Sequence, residues 1–271
     1  MRFRSLVFLL FAAATLAWAA EKPKPPSSPR LYVFNCGIIK AMSVTTYGFK
    51  EGEVPNRDFV VTCYLIAHPK GTLMWDVGFT PDAALKPDAP NKPLKTQLAE
   101  IGYTPADITY LAMSHYHSDH TGNANDFASA TWIVQRAERE TMFTEPPPRI
   151  LAPATFSALK NSKTKVLNNE DYDVFGDGKV VIKTAPGHTP GHQVLFLRLK
   201  KDGNMLLAGD LYHFPEEQTM NRFPTFEFNV PQSASSRAAI DEFLKKNNAQ
   251  MWISHDLATY NQAKKSPQFY E

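Results

Sequence analysis

Three histidines and one aspartate lie within six positions of the chain, in the segment Ser114–Asn123 (SHYHSDHTGN). The segment directly follows the apolar run 108–113, which is typical of a buried strand. Reactive side chains are often held in a loop at the end of such a strand, on a rigid scaffold. His115 and His117 are two positions apart, so both imidazoles are expected to point the same way. Gly122 is expected to permit the turn that follows.

The residue types in this segment point to metal binding. Neutral imidazole and carboxylate are ligands that borderline divalent cations accept in water. A single histidine in a loop is ordinarily a solvated or hydrogen-bonded surface residue. A cluster this dense is different, because unpaired His and Asp side chains packed together would be costly to bury. The segment therefore predicts a metal site.

Three more potential ligands follow apolar, strand-like runs elsewhere in the chain. They are His188 after residues 180–185, Asp210 after residues 204–208 and His255 after residues 251–254. Apolar strands that alternate with helical patterns imply sheets covered by helices. Ligands at the ends of several strands are expected to gather at one edge of such sheets. Asp76, which ends the run 71–76, is expected to support the histidine loop from behind.

The order of these groups resembles that of the metallo-β-lactamase-fold hydrolases. The motif HxHxDH at 115–120 is followed by His188, Asp210 and His255, and the resemblance spans nearly all of residues 31–271. The resemblance implies an α/β fold built as a four-layer αββα sandwich. It also implies a site for two divalent metal ions between the sheets.

The same resemblance implies a role for each ligand. His115, His117 and His188 would hold the first metal ion, Asp119, His120 and His255 the second, and Asp210 would bridge the two. The ligand chemistry favours zinc, while Co, Mn and Fe are also allowed. Seven ligands for two cations leave open positions, and a hydroxide that bridges two metal ions would be a nucleophile at neutral pH.

Two segments resemble the N-acyl homoserine lactonases within this superfamily: 185–196 (APGHTPGHQVLF) and 252–256 (WISHD). The resemblance implies opening of the lactone ring by the bridging hydroxide, with Asp119 shuttling a proton to the leaving oxygen. These lactonases place a tyrosine three residues beyond the bridging aspartate. Here Tyr212 is two beyond and His213 is three beyond, and we assign the contact with the substrate carbonyl to Tyr212, with His213 as the alternative.

The expected substrate is a small neutral ester or lactone with an acyl chain. The long segment 37–56 is expected to be a functional or mobile loop with exposed apolar residues. The aromatic loop beyond Asp210 could form the wall of an acyl-chain pocket or could pack as core and lid; its residues are Phe214, Met220, Phe223, Phe226 and Phe228. His68 and His192 are expected to be packing or supporting residues.

Other activities remain open on the sequence alone. Organophosphate hydrolases of the superfamily have the same ligands. β-Lactamases generally lack the full set, and thioesterases of the glyoxalase-II type add a helical domain for which the residues after His255 leave no room. Di-iron redox proteins on this scaffold replace one histidine with glutamate. The presence of a histidine at position 117 therefore disfavours that class. All seven ligand positions are filled, which disfavours a binding protein with a dead site.

The N-terminal residues carry the pattern of an export signal. Arg2 and Arg4 precede a short apolar run and the small residues around Ala19, so residues 1–20 are expected to be a secretory signal peptide, with a membrane anchor as the alternative. A Pro-rich tether is expected at 21–30, and the hydrolase domain at 31–271. The protein would then be periplasmic or secreted, with no stable membrane anchor.

Charge and cysteine content narrow the range of partners. The net charge of the full chain is +2, and loss of the two arginines near the start would leave the mature chain close to neutral. Nucleic acid is therefore not expected as a partner, since phosphate binding depends on clustered Lys and Arg. A homodimer is compatible with the sequence. Cys36 and Cys63 both lie beside apolar residues, and we expect two buried free thiols rather than a disulfide.

Overall fold

The computed structural model describes residues 23–271, so the expected signal peptide at 1–20 lies outside the described residues. Residues 23–29, which were expected to form a tether, have no regular secondary structure but are not detached from the domain. Ser28 is buried, and its hydroxyl donates to the Glu271 carboxylate over 2.9 Å. No helix within the described range combines the length and apolar character needed to cross a bilayer.

Two sheets form the centre of the fold. The first has the order β1-β2-β3-β4-β5-β6, with β1 to β3 antiparallel and β3 to β6 parallel. Its strands are β1 (Arg30–Ile39), β2 (Phe59–His68), β3 (Gly71–Trp75), β4 (Tyr110–Ala112), β5 (Thr131–Gln135) and β6 (Thr164–Leu167). The second has the order β11-β10-β9-β8-β7. Its strands are β7 (Tyr172–Asp173), β8 (Val180–Thr184), β9 (Gln193–Leu199), β10 (Gly203–Leu207) and β11 (Ala249–Trp252).

Helices cover the outer faces of both sheets, which gives the four-layer αββα sandwich that the sequence predicts. The helices among the described residues are α1 (Leu94–Ala99), α2 (Ser118–Thr121), α3 (Arg136–Met142), α4 (Pro153–Phe156), α5 (Pro215–Met220), α6 (Val230–Asn247) and α7 (Leu257–Gln262). Of these, α1 and α3 pack on the first sheet and α6 packs on the second. Alternation along β2 shows why the sheets are buried on both sides. Tyr64 and Ile66 face the second sheet, while Cys63 and Leu65 face the layer that contains α1. On the other side, Ile240 of α6 packs on β9 and β10.

The predicted strands at 71–76, 180–185 and 204–208 are confirmed to within about one residue as β3, β8 and β10, and the run 108–113 contains β4. The segment 37–56 differs from its prediction as an exposed loop. Ile39 belongs to β1, and a short 3₁₀ turn covers Val44–Tyr47. Val44 and Phe49 are buried together with Phe214, because this segment packs against the loop that follows Asp210.

The expectation of two free thiols is wrong, because Cys36 and Cys63 form a disulfide with a Cα–Cα distance of 5.9 Å. Strands β1 and β2 are antiparallel neighbours, with Phe34 opposite Cys63. An irregularity in β1 between Asn35 and Ile38 shifts the register and brings Cys36 to its partner. The bond therefore depends on a strand register that residue types alone do not define.

We predict that replacing both cysteines, Cys36→Ala with Cys63→Ala, lowers the free energy of unfolding by about 3 kcal/mol. The bond closes a loop of 27 residues, so its loss restores conformational freedom to the unfolded chain. Urea unfolding followed by circular dichroism measures the change. Dithiothreitol should destabilise the wild type by a similar amount and leave the double variant unaffected. Equal stability of oxidised and reduced wild type would contradict the prediction.

Candidate metal centre

The predicted ligands converge at one end of the two sheets in two groups that could each hold a metal ion. The first consists of His115, His117, His188 and Asp210, and the second of Asp119, His120, Asp210 and His255. Within each group the ligand atoms lie within 4.8 Å of one another. Loops after β4, β8, β10 and β11 and the short helix α2 supply them, so all seven expected residues meet.

Asp210 belongs to both groups, and its two carboxylate oxygens face different sides. Oδ2 lies 3.6 Å from Nε2 of His115 and 3.6 Å from Nε2 of His188. Oδ1 lies 3.2 Å from Nε2 of His120 and 3.1 Å from Nε2 of His255. This arrangement has the geometry of a carboxylate that bridges two cations.

The hydrogen-bonding state of the cluster tests whether its residues fit metal ions. Nε2 of His115, Nε2 of His120 and Oδ1 of Asp210 are buried, and none makes a hydrogen bond of acceptable geometry among residues 23–271, although Oδ1 lies close to Nε2 of His120. Buried polar atoms without partners are costly and rare in native proteins. All three point into the cluster, and their donor types suit zinc. The residues present therefore fit a pair of divalent cations.

The outward-facing nitrogens of the histidines are held by acceptors, which leaves the inner nitrogens available. Nδ1 of His255 donates to the backbone carbonyl of Val60 over 2.9 Å, so its proton lies on the outer side. Nδ1 of His188 lies 3.2 Å from the Glu227 carboxylate. Such partners fix the ring orientation and the tautomer of a metal-binding histidine. Nδ1 of His117 is the inward atom of that ring, 3.1 Å from Nε2 of His188.

Asp76 supports the histidine loop, as the sequence predicts. Its carboxylate accepts from the Ser114 backbone N–H over 2.7 Å and lies 3.0 Å from Nδ1 of His120. The Ser114 hydroxyl donates to the same carboxylate and lies 3.0 Å from Nδ1 of His115. Asp76 adopts a left-handed backbone conformation with φ of 53°, which is uncommon for a residue other than glycine.

The pKa values of the cluster follow from burial and from its carboxylates. Burial lowers the pKa of His115 and His188 well below the usual value, and neighbouring imidazoles lower it further. Burial acts in the same direction on His120, but Asp210 and Asp76 outweigh it and raise the pKa well above the usual value. Burial alone would raise the pKa of Asp210, but the nearby histidines His120 and His255 hold it well below the usual range.

The position of Asp210 is set by its two neighbours, Gly209 in the chain and His192 in space. Gly209 has φ of +53°, and a Cβ there would lie 2.5 Å from Cβ of Ser114 and 2.9 Å from Nε2 of His192. Only glycine allows so close an approach. His192 donates from Nδ1 to the Ala185 carbonyl and accepts the Asp210 backbone N–H at Nε2, over 3.0 Å. The expected supporting role of His192 is thus observed as a direct bond.

Gly122 has a different role from the one predicted. Its backbone is helical, so no turn requires a glycine there. A Cβ at this position would lie 2.6 Å from the Gly78 carbonyl oxygen and 2.5 Å from that of Phe79. The Gly122 N–H donates to Gly78, which ties the histidine loop to the segment after β3.

Glu138, at the start of α3, joins two of the ligand loops and was not found from the sequence. Its carboxylate accepts from the backbone N–H of Tyr116 over 2.6 Å, and from the Thr189 hydroxyl and the Gly191 N–H over 2.8 Å each. Burial raises the pKa of Glu138 to about 7, against the opposing effect of these three donors. No sequence pattern marks a helical glutamate as the link between distant loops.

The structure contradicts the assignment of Tyr212 to the substrate. Tyr212 packs in the layer that contains α6, and its hydroxyl lies 3.4 Å from Asp241. His213 points to the opposite side, and its Nε2 lies 3.1 Å from Oδ2 of Asp210. Burial would lower the pKa of His213, but Glu217 and Asp210 raise it to about 10. Successive side chains point apart here, and a difference of one position decides which residue reaches the site.

A cavity of about 210 Å³ opens over the cluster, with Asp119, Asp210, His117 and His255 at its polar end. Its apolar wall consists of Ile39, Met42, Tyr47, Phe59, Phe79, Ile150 and Phe226. Of the aromatic loop residues proposed from the sequence, Phe226 alone appears in this lining. Phe214 is buried behind it, Phe223 packs on the Arg237 guanidinium, and Met220 and Phe228 are exposed.

Comparisons with known proteins agree with this fold and cluster. Residues 56–249 match the family model of the metallo-beta-lactamase superfamily, and the chain belongs to that superfamily. It is similar to N-acyl homoserine lactonase AttM of Azorhizobium caulinodans, with 29% identity over 89% of this chain and 98% of the relative. It is also 27% identical to N-acyl homoserine lactonase AiiA of Bacillus thuringiensis subsp. kurstaki, over 77% of this chain and 86% of that relative.

A solved structure gives the same result for the fold. An N-acyl homoserine lactone hydrolase, with the product N-hexanoyl-L-homoserine at its catalytic metal centre, superposes with a TM-score of 0.74. The identity is 25%, and the match covers 89% of this chain and 98% of that one. The resemblance drawn from the motifs is confirmed at the level of superfamily and fold.

We predict that Glu138→Gln lowers stability by about 1–3 kcal/mol and weakens metal binding. An amide retains one acceptor oxygen, so at least one buried N–H that now donates to Glu138 loses its partner. Thermal unfolding and zinc titration measure the two effects. Glu140→Gln is the matched control, because Glu140 is an exposed residue of the same helix, and it should behave like wild type. Wild-type zinc affinity and melting temperature in Glu138→Gln would contradict the prediction.

Proposed function

We propose that this protein is an exported hydrolase that depends on two divalent metal ions and opens the lactone ring of N-acyl homoserine lactones. The observation that supports this most is the pair of ligand groups sharing Asp210 at the floor of an apolar-walled cavity. The names of the relatives support the substrate class. The disulfide is typical of proteins that fold in an oxidising compartment, which supports export.

The chemistry of ester hydrolysis needs an activated water and a site for the developing negative charge. Two divalent cations held by these ligands would lower the pKa of bound water and stabilise charge on oxygen. Zinc is the cation that we propose, because imidazole and carboxylate groups are its usual ligands in proteins. The chain supplies their positions through the bonds that hold Asp210, His120 and His255 in place.

Asp119 is suited to move the proton that ring opening requires. It is the most exposed of the seven ligands, with its side chain 17% accessible, and it lines the cavity. One of its oxygens lies 3.4 Å from Nε2 of His255, so the carboxylate stands at the edge of the second ligand group. We assign Asp119 to hold a proton and pass it to the leaving ring oxygen.

The apolar wall suits the acyl chain of the substrate. Phe79 and Ile150 line the cavity and are 43% and 45% exposed, so they stand at its mouth. Ile39 and Met42 continue the wall. An acyl chain that lies along these residues would bury apolar surface of both the chain and the protein. This burial stabilises the complex by about 25 cal/mol per Å² of apolar surface removed from water.

We predict that the purified protein releases acid from N-acyl homoserine lactones and contains two zinc ions per chain. Chelation should abolish acid release, and added zinc should restore it. A substrate panel that also contains a β-lactam, a thioester and a phosphotriester distinguishes the related activities. The absence of acid release from both short-chain and long-chain lactones by the zinc-loaded protein would contradict the proposed function.

We predict that Phe79→Ala raises KM for a decanoyl lactone by about tenfold and leaves a butanoyl lactone nearly unchanged. A decanoyl chain is long enough to reach the mouth of the cavity, so it loses its contact with the Phe79 ring in the variant. A butanoyl chain is too short to reach that ring and is not affected. Phe228→Ala serves as the control, because Phe228 is 60% exposed and is not part of the cavity wall. Equal changes for the two lactones would refute a role of Phe79 in chain binding.

A further inference from the structure

Tyr47 is held rigidly at the wall of the cavity, in the 3₁₀ turn Val44–Tyr47. The turn ends at Gly48 with φ of 80°, and a Cβ on Gly48 would lie 2.9 Å from the backbone oxygen of Phe223. The Thr225 N–H donates to the Thr46 carbonyl over 2.7 Å. The turn is thus fixed against the loop that follows α5, although the two segments are far apart in sequence.

The ring of Tyr47 is enclosed by other rings. Its centroid lies 4.8 Å from that of His213, 5.2 Å from Phe214, 5.4 Å from Phe59 and 5.6 Å from Phe226. The three contacts with phenylalanines are edge-to-face, an arrangement that is favourable and directional. The residue is only 4% exposed, so these contacts set its orientation.

The hydroxyl of Tyr47 is unused by the protein. Throughout residues 23–271 it makes no hydrogen bond, and the residue shares the cavity lining with Asp119, Asp210 and His255. Buried tyrosine hydroxyls ordinarily find a partner. Tyr212 illustrates the usual case, because its hydroxyl lies 3.4 Å from Asp241. A phenol has an ordinary pKa of about 10, and burial raises the pKa of Tyr47 further, so the hydroxyl keeps its proton at neutral pH and acts as a donor.

We propose that the Tyr47 hydroxyl is a catalytic group that donates a hydrogen bond to the carbonyl oxygen of the ester or lactone in the cavity. When the activated water adds to the carbonyl carbon, negative charge develops on that oxygen, and a fixed donor stabilises it without reorganisation. The C=O bond re-forms as the ring C–O bond breaks, and the charge then passes to the leaving ring oxygen, which takes up a proton. This assignment rests on the proposed ester hydrolysis and identifies a residue from the 37–56 segment as part of its machinery.

The decisive variant is Tyr47→Phe, which removes the hydroxyl and keeps the ring. We expect kcat for a hexanoyl lactone to fall by about 10- to 100-fold, with KM changing by less than about threefold, because the bond strengthens as charge develops. Zinc content and melting temperature should equal those of the wild type. Tyr212→Phe is the matched control, as a second buried tyrosine on the far side of the loop, and its kcat should stay within about twofold.

A crystal structure with the ring-opened acid provides a readout that does not depend on turnover. Tyr47 Oη is expected within about 3.2 Å of an oxygen of the product carboxylate. Wild-type kcat in Tyr47→Phe, or equal losses in the two tyrosine variants, would overturn the assignment while leaving the proposed function intact. Failure of the wild type itself on every ester and lactone would refute the proposed function, and the role of Tyr47 with it.

Discussion

The buried carboxylate of Asp210 is the constraint on which the rest of the structure depends. It contacts four histidines from three separate segments, and its burial is tolerable only because these imidazoles face both of its oxygens. Gly209, which has a left-handed backbone conformation, precedes Asp210, and His192 accepts the Asp210 backbone N–H. Together they fix the position of the Asp210 side chain. The two sheets therefore have to bring β4, β8, β10 and β11 to the same end before any of these bonds can form.

Support for the cluster is divided between polar and apolar parts of the molecule. Carboxylates and carbonyls behind the ligands hold the outer nitrogens of the rings, through Asp76, Glu227 and Val60. The cavity wall is instead apolar, and part of it comes from the 37–56 segment and from Phe226 of the loop after α5, which pack on each other through aromatic rings. The first set fixes ligand geometry, and the second determines what lies above it.

The sequence predicts the sandwich and the seven side chains that meet at its end, because their signals are local. HxHxDH is contiguous, and each remaining ligand follows an apolar strand. The disulfide, Tyr47 and Glu138 were missed for one shared reason. Each acts through a contact between segments distant in sequence, set by strand register or by loop packing. The choice between Tyr212 and His213 failed because the direction of a side chain in an irregular loop has no sequence period.

The separation between ligand supports and cavity wall has an evolutionary consequence. Ile39, Met42 and Ile150 line the cavity with apolar side chains, so substitutions there alter its shape without removing a hydrogen bond that positions Asp210. Proteins with this architecture can therefore change their preference for hydrophobic substrates of different length while the residues that position the ligands stay the same. Diversification of substrate range on this scaffold then requires few compensating changes in the sheets.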